Sequence, residues 1–327
     1  MRIEHGGAQQ RFSRWINSFF RESHRGDRLF LLVLRVFGWA VTGLVLGILL
    51  QLLFQAWPLL EEVGSCFFVE QDWNPVAGSF GALSFIYGTL LTSLLALLMS
   101  LPVSLAMALF LTEWAPPFVG QIVGFLVEML AAIPSVVYGL WGIFVLVPWV
   151  RMSFAPLVTE TLGFLPFFAG PSYGVGLFTA ALLLAMMITP TIASLCREVF
   201  RSIPTHQREA ALALGATRWE SVRIAVLKSS VSGVLGAVAL GLGRALGETM
   251  AVTMVIGNRP EISLSWFAPA QTIASVIANE FGEATEGSHL AALAALGLAL
   301  FVLSFSIHGF SRFWMNRRGP LSSRKSR

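Results

Sequence analysis

The chain has little charge and almost no lysine. Asp, Glu, Lys and Arg together make up 12% of its 327 residues, whereas a soluble domain carries about a quarter. Hydrophobic residues make up 55% and mean hydropathy is +0.73. That composition excludes an ordinary soluble domain and calls for a polytopic membrane protein. The lysines are Lys228 and Lys325, and neither follows a glycine. A G-x-x-x-x-G-K-[ST] phosphate loop is therefore missing, and with it nucleotide hydrolysis by that route. The sequence holds no G-x-S-x-G elbow and no H-E-x-x-H zinc motif, so it is not expected to be an enzyme. Its 5 histidines are scattered without metal-ligand spacing, and no metal site is expected. The 2 cysteines, Cys66 and Cys196, fall in segments expected on opposite sides of the membrane, so no disulfide should join them.

The charge that remains is ordered. A formal net charge of +4 can suit a nucleic-acid binder, but the basic residues lie in three blocks. These are the N-terminal tail with Arg2 to Arg28, the stretch from Arg197 to Lys228, and the C-terminal tail with Arg312 to Arg327. Between them lie long apolar runs and acidic segments, the pattern of membrane topology. An all-α fold of six spans follows, placed at Leu29–Ala56, Phe80–Leu111, Phe118–Val150, Tyr173–Leu195, Val231–Ile256 and Leu290–Phe310. Both termini are then cytoplasmic. Residues 1–28 and 311–327 read as basic tails and 29–310 as the transmembrane domain. Pro58–Ser79 and Asn258–His289, with Glu61, Glu280 and Glu286 among their acids, read as outer loops. Residues 151–172 read as a third outer loop. The third span is longer than a bilayer needs, so it tilts, breaks at Pro134 or projects. Pro102, Pro134 and Pro190 act as kinks or as hinges.

The inner loop Cys196–Ser230 is too polar to insert but rich in helix formers. Two short amphipathic helices with a turn at Gly215 are expected there. The fifth span carries Arg244 and Glu248. A continuous helix places residues four apart on one face, and an ionised side chain at mid-bilayer costs about 2.5–3.5 kcal/mol. Such a pair either lines a substrate path or locks the helix to a neighbour. Gly243 and Gly247 on the same run form a small-x-x-x-small face suited to helix packing. Glu128 in the third span either faces the path or caps an interhelical contact.

Glu209-Ala210-Ala211 followed by Gly215 resembles the E-A-A-x-x-x-G motif of ABC importer permeases. The stretches Glu128–Gly139, Leu242–Asn258 and Ala278–Phe281 are similar to the phosphate-specific, PstC-type permeases of that family. The resemblance covers roughly residues 30–310. It implies a type I importer permease fold with cytoplasmic coupling helices in 196–230, in a bacterial inner membrane. It implies contact of Glu209, Ala210, Ala211 and Gly215 with an ATPase, and a substrate path near Arg244, Glu248, Glu128 and Thr253. The implied partners are a second permease (PstA type), an ATPase dimer (PstB type), an external phosphate-binding protein (PstS type) and membrane lipid, with no nucleic acid. ATP and Mg would be bound by the ATPase, leaving this chain without a cofactor. Open alternatives are a permease for sulfate or molybdate, a self-sufficient secondary transporter or channel, and a purely structural subunit.

Overall fold

Where no water reaches the backbone, each N–H and C=O must find its partner within the chain, which leaves helices as the economical solution for apolar runs. The computed structural model describes residues 6–284 and 287–317, and most of them are helical. Two units are distinguished, residues 1–54 and 55–327. The first is the greater part of helix α1 (Gly6–Val63). From Leu29 on, its apolar residues are exposed on every side, including Leu32, Phe37, Trp39 and Phe54, as suits a helix bathed in lipid or covered by other helices.

The second unit starts with the end of α1 and a 3-10 turn (Gly64–Phe68). A two-residue ladder follows, with β1 (Trp73–Asn74) antiparallel to β2 (Ser79–Phe80) and Trp73 opposite Phe80. Next come α2 (Leu83–Leu109), a π-helical turn (Phe110–Trp114) and α3 (Pro117–Ala131). After a break, α4 (Ser135–Trp141), α5 (Val147–Trp149) and α6 (Ala155–Leu162) are joined by π-helical turns into one span. Then follow α7 (Leu177–Arg201), α8 (Thr205–Ala213), α9 (Arg218–Ser221), α10 (Lys228–Leu246), α11 (Met250–Val255), α12 (Ile273–Glu280) and α13 (Gly287–Arg317). Among the described residues, six helical stretches are long and apolar enough to cross a membrane: 29–68, 83–114, 135–162, 177–201, 218–246 and 287–314.

Helix α7 is the central pillar. Its residues Leu177, Leu183, Leu184, Met187, Ile188 and Ile192 are almost wholly covered. α2 packs along it through small and hydroxyl residues. Thr89, Thr92, Ser93 and Ser104 return their hydroxyls to carbonyls one turn back, so a buried polar face is satisfied within its own helix and leaves room for close approach. Pro102 and Pro190 lie inside continuous helices.

The third span breaks at Pro134, one of the outcomes its length allowed, because proline lacks an N–H and disfavours helical geometry in the residue before it. Alone, α3 has 15 residues, about 22 Å at 1.5 Å per residue, too short to cross a hydrocarbon core of about 30 Å. Several boundaries differ from those expected. The segment expected as an outer loop after Val150 is helical to Leu162. The fifth span is not continuous over 231–256 but ends at Leu246 and restarts at Met250. The fourth span runs on through Arg197 to Arg201, which shortens the inner loop expected at 196–230. The expected N-terminal tail is helical from Gly6 and continuous with the first span. Arg312 and Arg317 of the expected C-terminal tail lie in α13. Arg2, Glu286 and the tail from Arg318 to Arg327 lie outside the described residues.

The expected outer loop 258–289 contains the buried helix α12. Thr272 and Ser275 form its reciprocal N-terminal cap, and the Ile273 N–H donates to Thr89 Oγ1 of α2 at 2.9 Å. Nearby, Glu280 Oε2 accepts from Trp73 Nε1 and pairs with His289, both at 3.0 Å. Gly88 of α2 faces the Gln271 carbonyl with no room for a Cβ. Gly88→Ala therefore forces backbone against backbone and should cost about 1–3 kcal/mol. A lower unfolding temperature of the detergent-purified protein would show it, and an unchanged one would contradict the packing.

Candidate functional site

Two interrupted spans meet at one arginine. The end of α3 at Ala131 leaves carbonyls without helical partners. Arg244, in the last turn of α10, reaches them: both terminal guanidinium nitrogens face the Ala131 carbonyl, at 3.4 and 3.5 Å. One of them also donates to Thr191 Oγ1 of α7 at 3.2 Å. Tyr138 of α4 bridges the same break by donating its hydroxyl to the Leu130 carbonyl at 3.0 Å. Arg244 is half-buried, and among the described residues all of its acceptors are neutral oxygens.

Glu248 does not share a helix face with Arg244, because the helix ends between them; no ion pair joins the two among the described residues. Glu248 lies in the gap and its Oε1 accepts the Ala251 N–H at 3.4 Å, at the start of α11. Each charge suits the end it occupies, the cation at a helix C-terminus and the anion at a helix N-terminus. The shared face of Gly243 and Gly247 is likewise interrupted. A Cβ on Gly243 would meet the His308 ring of α13, whereas Gly247 is the C-cap of α10 and has only its own backbone nearby. Thr253 is half-buried in α11 and donates its hydroxyl to the Thr249 carbonyl at 2.8 Å.

Glu128 of α3 pairs with Arg197 of α7 at 3.2 Å, its own side chain 55% exposed. Arg197 is 5% exposed and donates to the Gly120 carbonyl at 3.0 Å, with its guanidinium in the space that a side chain on Gly124 would fill. Arg197 was missed from the sequence because it follows an apolar run and reads as the first residue of a loop. The available signal was the four-residue spacing of Gly120, Gly124 and Glu128, a slot leading to a carboxylate on one helix face.

At the loop between α7 and α10, α8 carries Glu209 and Ala210 exposed and Ala211 half-buried. Gly215 has φ +86°, a left-handed conformation that glycine adopts without strain, and it makes the turn to α9. Thr217 and Glu220 cap α9 reciprocally. The second short helix is not a separate element, because α9 continues through a π-helical turn (Val222–Leu227) into α10. Leu212, Leu214 and Trp219 stand exposed around the turn. Six apolar spans among the described residues, with a helical loop between the fourth and fifth, define a multi-pass membrane protein.

A family model described as "Binding-protein-dependent transport system inner membrane component" matches residues 100–318. The phosphate transport system permease protein PstC of Mesorhizobium japonicum is 44% identical over 295 residues, covering 89% of this chain and 90% of its own. That of Haemophilus influenzae is 43% identical over 307 residues, covering 93% and 94%. The probable PstC of Methanocaldococcus jannaschii is 34% identical over 270 residues, covering 81% and 85%. In fold, the chain is similar to a bacterial ABC transporter involved in the import of the acidic polysaccharide alginate, with TM-score 0.59 at 17% identity over 92% of this chain and 99% of that one. An inward-facing MetNI methionine ABC transporter gives TM-score 0.54 at 16% identity, covering 76% and 100%. The chain belongs to the PstC permeases of the binding-protein-dependent transport system inner membrane component family.

The geometry separates the charge of Glu248 from its role as an acceptor. Glu248→Gln keeps an oxygen for the Ala251 N–H and should leave stability nearly unchanged. Glu248→Ala removes that acceptor and should cost about 1 kcal/mol. Thermal unfolding of the two variants compares them, and equal losses would contradict that role.

Proposed function

We propose that this chain is the permease subunit of an ATP-driven inorganic phosphate importer, forming the translocation path with a second permease of the PstA type. The observation that carries the reading is the state of Arg244. Arg197 and Arg208 each have a carboxylate partner, while Arg244 is met among the described residues by neutral oxygens at 3.2–3.5 Å. A cation left uncompensated at membrane depth attracts an anion. A guanidinium offers an oxyanion two parallel hydrogen bonds of about 2.7–2.9 Å, shorter than the contacts it would replace. The names of the relatives supply the anion, phosphate.

The path runs at the interface with the second permease, past Arg244, with Glu248, Glu128 and Thr253 near it. Glu248 supplies a negative charge in the gap between α10 and α11, which limits how tightly an anion is held. The basic blocks orient both termini and the α8 face to the cytoplasm, with the membrane being a bacterial inner membrane. ATP and Mg belong to a separate ATPase dimer of the PstB type, since this chain has no phosphate loop of its own. That dimer docks on Glu209, Ala210, Ala211 and Gly215, beside the exposed Leu212, Leu214 and Trp219. An external phosphate-binding protein of the PstS type docks on the opposite face. ATP binding brings the ATPases together, α8 moves with them, and the helices exchange inward-open and outward-open states.

Reconstitution of this chain with those partners in proteoliposomes tests the reading. Phosphate uptake should require ATP and the full complex, and excess sulfate or molybdate should leave it unchanged. Gradient-driven uptake by the chain alone, or strong competition by the other oxyanions, would contradict it.

A further inference from the structure

Resting on that reading, we propose that Glu113 is the positioning residue that carries movement of α8 into both halves of the Arg244 site. Glu113 lies in the π-helical turn between α2 and α3. Arg208 of α8 grips its carboxylate as a fork, with Nε at 3.2 and 3.3 Å from the two oxygens and a terminal nitrogen at 2.8 Å. The pair is mostly covered, the Glu113 side chain 9% exposed and that of Arg208 20%. Two further donors of Arg208 go to the carbonyls of Ile203 at 2.7 Å and Phe200 at 2.9 Å, where α7 ends. One side chain thus ties α8, the end of α7 and the α2–α3 turn together.

A second set of contacts reaches the same turn from α9. Arg218 donates to the Glu113 carbonyl at 2.8 Å, and Trp219 packs beside Trp114 with ring centroids 6.2 Å apart. Ser221 Oγ donates to the Arg208 carbonyl at 3.2 Å, closing α8 onto α9. The loop and the turn therefore move as one body around Glu113.

Of the helices joined to this body, two end at the Arg244 site. One is α3, which ends at Ala131. The other is α9 and its continuation α10, which ends at Leu246 with Arg244 in its last turn. Their far ends meet in the contact between Arg244 and the Ala131 carbonyl. Glu113 fixes the two helices to each other at the α8 end, so a displacement of α8 is delivered to both sides of that contact at once. A charge-assisted fork resists reorientation better than a neutral contact, which is the property that a transmitting joint needs.

The test uses the assembled complex in proteoliposomes and reads phosphate moved per ATP hydrolysed, with assembly and thermal stability measured beside it. Wild-type complex serves as the control on function: if it moves no phosphate, the importer reading fails independently of Glu113. If it does, Glu113→Gln and Arg208→Lys should each assemble and hydrolyse ATP while the ratio falls about tenfold. Glu113→Asp should restore part of it, and the double variant should be no worse than either single one. An unchanged ratio in Glu113→Gln overturns the proposal. So do strictly additive losses, and so does failure of Glu113→Gln to assemble, which would make the pair a structural pin.

Discussion

The constraint on which this structure depends is the fate of backbone groups at a helix break inside a membrane. A carbonyl freed from its helix has no water to turn to and must find another donor. At the end of α3 the donors are the Arg244 guanidinium and the Tyr138 hydroxyl. At the start of α11 the Ala251 N–H is met by Glu248. The two ionised groups therefore repay part of their insertion cost by completing the ends of helices. Among the described residues Arg244 is met by a neutral carbonyl and a hydroxyl, which do not cancel its charge.

The breaks also divide the protein mechanically. A continuous helix moves as a whole, but a pair of half-helices permits one side to shift while the other stays seated. Here α4 and α11 pack against each other and against α7, beyond the breaks. On the near side α3 and α10 run back to the loop that carries α8. The Arg197 pair with Glu128 ties α3 to the pillar α7 at the level of Gly120 and Gly124. The site thus lies where α4 and α11 adjoin α3 and α10, which also pack against α7 and run back to the loop.

Much of this was legible in the sequence because it rests on local chemistry. Apolar length gave six spans, and an arginine in an apolar run marked the position around which the breaks assemble. The turn at Gly215 followed from glycine between two amphipathic stretches. The gap at Gly247–Thr249 was not legible, because no proline announces it and the surrounding residues suit a continuous helix. The third-span break at Pro134 was one of three readings that the excess length allowed. Helix α12 was hidden by the acids around it, its burial depending on Thr89 and Gly88 of a helix far away in sequence. The fork between Glu113 and Arg208 joins residues 95 positions apart, a distance that no local pattern records.

The central claim, that Arg244 serves the passing anion, is tested most directly by phosphate uptake with Arg244→Ala and Arg244→Lys, measured with assembly and ATPase activity of the same complexes. The account predicts that both complexes assemble and hydrolyse ATP, that the alanine variant takes up no phosphate, and that lysine restores only a part, since it keeps the charge without the planar fork. Normal uptake in the alanine variant, or loss of assembly in both, would contradict it and make Arg244 a structural bond between two helix ends.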